Sequence, residues 1–324
     1  MTLFTLDELE AAALLVNAHV PPTPQFAWPL LKLRTGVDVW VKHENHTPTG
    51  AFKVRGGIVY MDWLKRSGLP VSGVISATRG NHGQSIAVAA ARVGLPCVIV
   101  VPEGNSTEKN AAMRAFGAEL ITHGSDFDAA KAHASELAKT RNLHFVPSFD
   151  KQLVMGVATY ALELFRAVPD IARVYVPIGL GSGICGVIAV RDLLGLKTEV
   201  VGVVADAAAA YALSLEAGHV VSTNSAATFA DGMAVRVPNE DAFAMIKRGV
   251  SHIIRVSDDE IAEAIRIYYR DTHNLAEGAG AAPLAGLMRE RAVLQGQNAA
   301  VILCGGNIDA SVFSQVLSGN TPKA

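Results

Sequence analysis

The sequence predicts an α/β protein whose mostly parallel sheets are covered by helices on both faces. Three observations predict it. Short, almost continuously apolar runs rich in β-branched residues recur along the chain: VDVWVKHE, GVISAT, PCVIVVPE, AELITHG, RVYVPIG, EVVGVVAD and AAVILCGG. Ala-rich segments with helical spacing, such as SIAVAAARVG and EKNAAMRAFG, separate several of them. Glycine or proline closes many of these segments, as at Gly94, Pro96 and Gly117. A strand without polar alternation buries both faces, and strands alternating with helices give parallel sheets.

Further along, Ser257-Asp258-Asp259-Glu260 has capping-box spacing and predicts the start of the helix IAEAIRIYYRDTHN. The block 73–143 carries several strand–helix alternations of its own. It reads as a small domain inserted in a larger one made of residues 1–72 and 144–324.

The chain has 324 residues, 50% of them apolar, and a formal net charge of −2, enough to bury a large core. Near-neutral charge without like-charge runs excludes a nucleic-acid face. The N-terminus lacks a basic region of the signal-peptide kind, and the most apolar stretch, Ile86 to Val101, is interrupted and too short to span a membrane. Cys97, Cys185 and Cys304 lack metal-site spacing and fit a reducing, cytoplasmic setting.

Four segments carry candidate chemistry. In KHENHTPTGAFKVRGG, Lys53 follows a glycine turn and lies between Phe52 and Val54, where partial burial would depress its pKa and make it a Schiff-base nucleophile or a base. The plainer alternative is a solvated lysine. In SATRGNHGQS, a strand runs into a helix, and backbone amides at such a junction can hold an anion; a helix cap with a chance histidine is the alternative. VPIGLGSGICG can likewise bring amides to a phosphate. Gly181, Gly183 and Gly186 also match a dinucleotide fingerprint, with Asp206 about twenty residues on, so an NAD-dependent oxidoreductase is a competing reading. LCGGNID brings Cys304 to the end of an apolar strand, as a ligand neighbour or as a buried structural thiol.

In this order the four segments resemble the threonine/serine dehydratase and serine racemase group of pyridoxal 5′-phosphate (PLP) enzymes of fold type II, over nearly the whole chain. That resemblance implies a tryptophan synthase β-like fold with two open, twisted, mostly parallel sheets flanked by helices. It implies that Lys53 holds PLP covalently and serves as the base at Cα. Phe52 would pack near the pyridine ring and Asn81 would bond its phenolic oxygen. Gly179, Leu180, Gly181, Ser182 and Gly183 would cradle the phosphate, and Glu277 would lie near the ring's far side. Cys304 would stand beside the pyridine nitrogen, where a neutral partner suits elimination. Thr78, Arg79, Asn81 and His82 would surround the substrate. The implied reaction removes water and ammonia from a β-hydroxy amino acid of the threonine or serine type, phenylserine and 3-hydroxyaspartate included, and leaves a 2-oxo acid. A homodimer acting on a small-molecule amino acid is also implied.

Three departures bear on the chemistry. Arg79 stands where the group commonly has a serine; an arginine is a poor base, which argues against racemisation. It can instead fork onto a carboxylate, or point to solvent. Second, the cation site of some members needs carboxylates where Ala205, Ala209 and Tyr211 stand, so no metal is expected, Asp206 and Asp231 notwithstanding. Third, the chain ends at Ala324, leaving no expected room for a regulatory domain. An amino-acid racemase and a non-catalytic metabolite-binding regulator are the remaining alternatives.

Overall fold

The computed structural model describes residues 3–323. In chain order its strands are β1 Gln25–Ala27, β2 Asp38–His43, β3 Val74–Ala77, β4 Cys97–Val101, β5 Glu119–Thr122, β6 His144–Phe145, β7 Ile171–Pro177, β8 Glu199–Ala205, β9 His252–Val256 and β10 Asn298–Leu303. They form a six-stranded sheet in the order β1-β2-β10-β7-β8-β9 and a four-stranded sheet in the order β5-β4-β3-β6. Every pairing is parallel except that of β1 with β2. All seven apolar runs became strands. The continuous burial that predicted parallel pairing is complete in β3 and β4.

The four-stranded sheet extends to Phe145, past the 73–143 block. The helix Lys53–Arg66 joins two apolar clusters. Its Val54, Ile58 and Val59 pack with Ala12, Val16 and Val20, while Tyr60, Met61 and Leu64 pack with Val74, Ile86 and Leu153. Gly56 and Gly57 allow this close seating. A Cβ at Gly57 would lie 2.8 Å from the Ser85 carbonyl oxygen, and one at Gly56 2.7 Å from that of Leu153. The capping box is present, with Ser257 Oγ accepting from the Glu260 N–H at 3.2 Å.

Parallel strands point their C-terminal ends to one edge, where open α/β sheets bind ligands. Here β3, β7 and β10 end at Ala77, Pro177 and Leu303, immediately before the segments singled out for chemistry. No helix among the described residues is long and apolar enough to cross a membrane.

Candidate active site

Between the two sheets lies a cleft of about 1040 Å³. It brings together every candidate residue: Phe52, Lys53, Thr78, Arg79, Asn81, His82, Gly179, Leu180, Gly181, Ser182, Gly183, Glu277 and Cys304 all line it.

Lys53 is the first residue of the helix Lys53–Arg66. The turn before it is pinned to the end of β10: the Phe52 N–H donates to the Cys304 carbonyl at 3.0 Å, and Ala51 bridges Gly305. Behind it, Ser85 Oγ donates to the Lys53 carbonyl at 2.6 Å. The amine lies 4.2 Å from the Phe52 ring centroid and has no ion pair or hydrogen bond among the described residues. Burial pushes its pKa below the usual lysine range, and Cys304, Glu277 and Asp231 offset this only in part. An unpaired, desolvated lysine is a nucleophile and a base.

On one side is the β7-to-helix junction, Gly179 to Gly183, which starts the helix Ser182–Leu193. Gly181 takes φ +102°, and a Cβ there would lie 2.8 Å from Ala242 Cβ. None of the amides of Gly179, Leu180, Gly181, Ser182 or Gly183 donates to an acceptor among the described residues. Buried amides are otherwise nearly always paired. No acidic side chain occupies the helix's first turn and none caps it. The result is a site for an anion.

On the other side, β3 runs into the helix Asn81–Arg92, also uncapped and without acid in its first turn. The amides of Arg79, Asn81 and His82 have no acceptor among the described residues, whereas the Gly80 N–H donates to Thr78 Oγ1 at 2.9 Å. Asn81 is oriented from both ends. Its Oδ1 accepts from Asn307 Nδ2 at 2.8 Å, and its Nδ2 donates to Glu277 Oε1 at 2.6 Å. His82 is buried, its Nε2 has no partner among the described residues, and burial together with Lys53 pushes its pKa down to about 3, keeping the ring neutral. Arg79 is exposed on the cleft wall and has no ion pair among the described residues. Burial pushes the Cys304 thiol up, so it stays neutral at the end of β10.

Sequence reasoning named Glu277 and Asp231 but missed Lys109, which joins them into a charged cluster in the cleft. Lys109 Nζ reaches Asp231 Oδ2 at 2.7 Å and Glu277 Oε2 at 3.2 Å. Against the effect of burial, these carboxylates hold Lys109 above the usual lysine range. Burial pushes Glu277 up and Lys109 opposes it. Asn307 was missed too, although it lies within the quoted LCGGNID. Arg55, of the same motif as Lys53, is fully buried in ion pairs with Glu44 at 2.7 Å and Glu163 at 2.7 Å. It anchors the helix that carries Lys53 and does not reach the cleft. Among the described residues no group of three or more His, Cys, Asp or Glu is arranged to hold a metal.

The family model described as pyridoxal-phosphate dependent enzyme matches residues 16–305. An L-threonine ammonia-lyase of Geobacter sulfurreducens is 37% identical over 88% of this chain and 71% of its own length. The biosynthetic L-threonine dehydratase of Salmonella typhimurium is 36% identical over 86% of this chain but 55% of its own; the chain spans about half the length of such dehydratases. The structure of processed threonine deaminase isoform 2 from Solanum lycopersicum superposes with a TM-score of 0.87 at 31% identity, covering 97% of this chain and 94% of that one. The chain thus belongs to the pyridoxal-phosphate dependent enzyme family, with the type II fold. It is a PLP-dependent enzyme with threonine ammonia-lyases among its relatives, which displaces the dinucleotide reading of its glycine fingerprint. Gly186, the third glycine of that fingerprint, instead lets two helices touch, since a Cβ there would lie 3.1 Å from Ala158 Cα. The residues present fit PLP: an unpaired lysine, a row of unpartnered amides for a phosphate, and a neutral thiol and a ring-sized aromatic beside them.

Proposed function

We propose that this protein is a PLP-dependent ammonia-lyase that converts a β-hydroxy amino acid of the threonine or serine type to a 2-oxo acid and ammonia. The observation that carries the reading is the unpaired amine of Lys53, held between two facing rows of unpartnered amides. One row takes the cofactor's phosphate. The other, with the Thr78 hydroxyl, takes the α-carboxylate of the substrate. When bound, PLP supplies the sink for charge developing at Cα.

Lys53 holds the cofactor and then takes the Cα proton, for which its lowered pKa suits it. Phe52 backs the amine, Asn81 would hold the cofactor's ring oxygen with its remaining N–H, and Glu277 is fixed by Lys109. The net reaction expels the β-hydroxyl as water, and hydrolysis of the remaining imine returns one water and releases ammonia.

A narrower substrate reading is supported by Arg79, exposed and unpaired on the cleft wall beside the carboxylate row. It favours a substrate with a second carboxylate, 3-hydroxyaspartate, over phenylserine. A homodimer in the cytoplasm is the accompanying proposal, which sedimentation and cell fractionation check.

The purified protein is expected to be yellow, and borohydride should leave a pyridoxyl group on Lys53. A panel of threonine, serine, phenylserine and 3-hydroxyaspartate should release 2-oxo acid. A colourless protein that takes up no PLP overturns the proposal, and enantiomer interconversion without 2-oxo acid turns it into a racemase. The ratio of kcat/KM for 3-hydroxyaspartate over threonine should fall in Arg79→Ala; an unchanged ratio removes Arg79 from side-chain recognition.

A further inference from the structure

Tyr211 sits behind the glycine junction, outside the cleft, in the helix Ala210–Ala217 that follows β8. From sequence it marked only the place of a missing carboxylate. It is buried at 2% exposure, and its hydroxyl uses both of its capacities. It donates to the Leu180 carbonyl at 3.0 Å and accepts from the Asn239 N–H at 3.1 Å. Asn239 in turn caps the helix Glu240–Gly249, its Oδ1 accepting from the Ala242 N–H at 2.9 Å. Ala242 is the residue whose Cβ bars a side chain at Gly181. Tyr211 and Asn239 thereby tie the Leu180 carbonyl to the helix whose Ala242 lies against Gly181.

That peptide links Leu180 to Gly181. In a trans peptide the C=O and the next N–H point in opposite directions. Holding the Leu180 carbonyl back against Tyr211 therefore aims the Gly181 N–H away from Tyr211, to the cleft side. Glycine accepts either sign of φ at little cost, so the same bond could otherwise turn over and present a carbonyl oxygen where an anion must sit. We propose that Tyr211 is a positioning residue that locks the Leu180–Gly181 peptide in its anion-binding orientation, so that the cleft is pre-shaped for the cofactor's phosphate. This rests on the PLP reading above and adds to it a residue that touches neither cofactor nor substrate.

The test is Tyr211→Phe, which keeps the ring and removes the hydroxyl. Apoprotein of wild type and variant is titrated with PLP and with pyridoxal, which lacks the phosphate, and bound cofactor is followed by absorbance. Losing a buried hydrogen bond should weaken PLP about tenfold, with pyridoxal unchanged. Equal weakening of both would mean the hydroxyl serves the fold at large and overturns the proposal, as does unchanged PLP affinity. A wild-type protein that binds neither defeats the PLP reading itself, a separate outcome. Should the variant fail to fold, the wild-type apoprotein titrated with inorganic phosphate decides: the Gly181 amide resonance should shift. A shift confined to the Ser182 and Gly183 amides overturns the locked orientation.

Discussion

Two strand-to-helix junctions face each other across the cleft, built on one plan and furnished differently. After β7, Gly179 to Gly183 present backbone amides from three glycines, with only the side chains of Leu180 and Ser182 beside them. After β3, Thr78 to His82 present the same kind of amide row but add a hydroxyl, a guanidinium, a carboxamide and an imidazole. Bare backbone suits a group that never changes, and the phosphate of a cofactor is such a group. Side chains on the same frame can discriminate, and a substrate is what needs discriminating. Lys53 lines the same cleft and, on the proposed reading, serves both.

Removing the shared member should have the largest effect. Lys53→Ala should lower turnover at least about 10²–10⁴-fold, as for loss of a catalytic base, and abolish the borohydride-fixed label. Full lyase activity in that variant would break the scheme. Next comes the bare junction. Gly181→Ala places a Cβ 2.8 Å from Ala242 Cβ at φ +102°. A left-handed non-glycine residue costs about 1–2 kcal/mol before the clash is counted, so PLP affinity should fall more than tenfold, about one decade per 1.4 kcal/mol, measured by equilibrium dialysis. At the furnished junction Asn81 is assigned to the cofactor, and Thr78 should respond in the substrate and not in the cofactor. Thr78→Val should raise KM alike for every amino acid on the panel, about fivefold for one hydrogen bond, with PLP affinity unchanged. A loss of PLP instead would mean the two junctions are not divided in this way.

The smallest effect concerns His82, with its pKa near 3, and His43, which burial pushes down to about 4. Both are depressed below the ordinary histidine value of 6.5. Between 6.5 and these values the unfolded chain takes up protons that the folded chain refuses, so stability is lost as pH falls through that window. His82→Gln should flatten the decline of Tm between pH 6.5 and 4 but leave the share of His43. An unaltered slope would show that His82 is not held neutral by its surroundings.

Much of this arrangement was legible in the sequence. The seven apolar runs announced seven strands because burial on both faces writes itself into consecutive residues. The three strands not announced are short or lie at an edge: β6 has two residues, and β1 and β9 are partly exposed edge strands. Their pairing comes from the neighbouring strand more than from their own composition. Thr78, Asn81, His82, Gly179 to Gly183 and Cys304 lie within a few positions of the ends of β3, β7 and β10, but their roles, and the places of Phe52, Lys53 and Glu277, were implied by the family resemblance of the motifs. Arg55 and Asn307 belonged to quoted motifs, yet their roles were hidden, since one is a buried ion-pair anchor and the other turns Asn81.

The sequence by itself determined the fold class and the order of the four segments, which are local properties of periodicity, glycine placement and motif order. Lys53 stood out from the other lysines through the family resemblance that this order carries. Only the tertiary structure decided which charges are paired. Lys109 meets Asp231 and Glu277 across separations of 122 and 168 positions, so its charge is fixed, while Lys53 meets no partner among the described residues and its pKa falls. The two junctions likewise became distinguishable only when folding left five amides of one unpaired and set Tyr211 behind them. Desolvation and Coulomb interactions depend on distance in space, and spacing along the chain does not encode that distance.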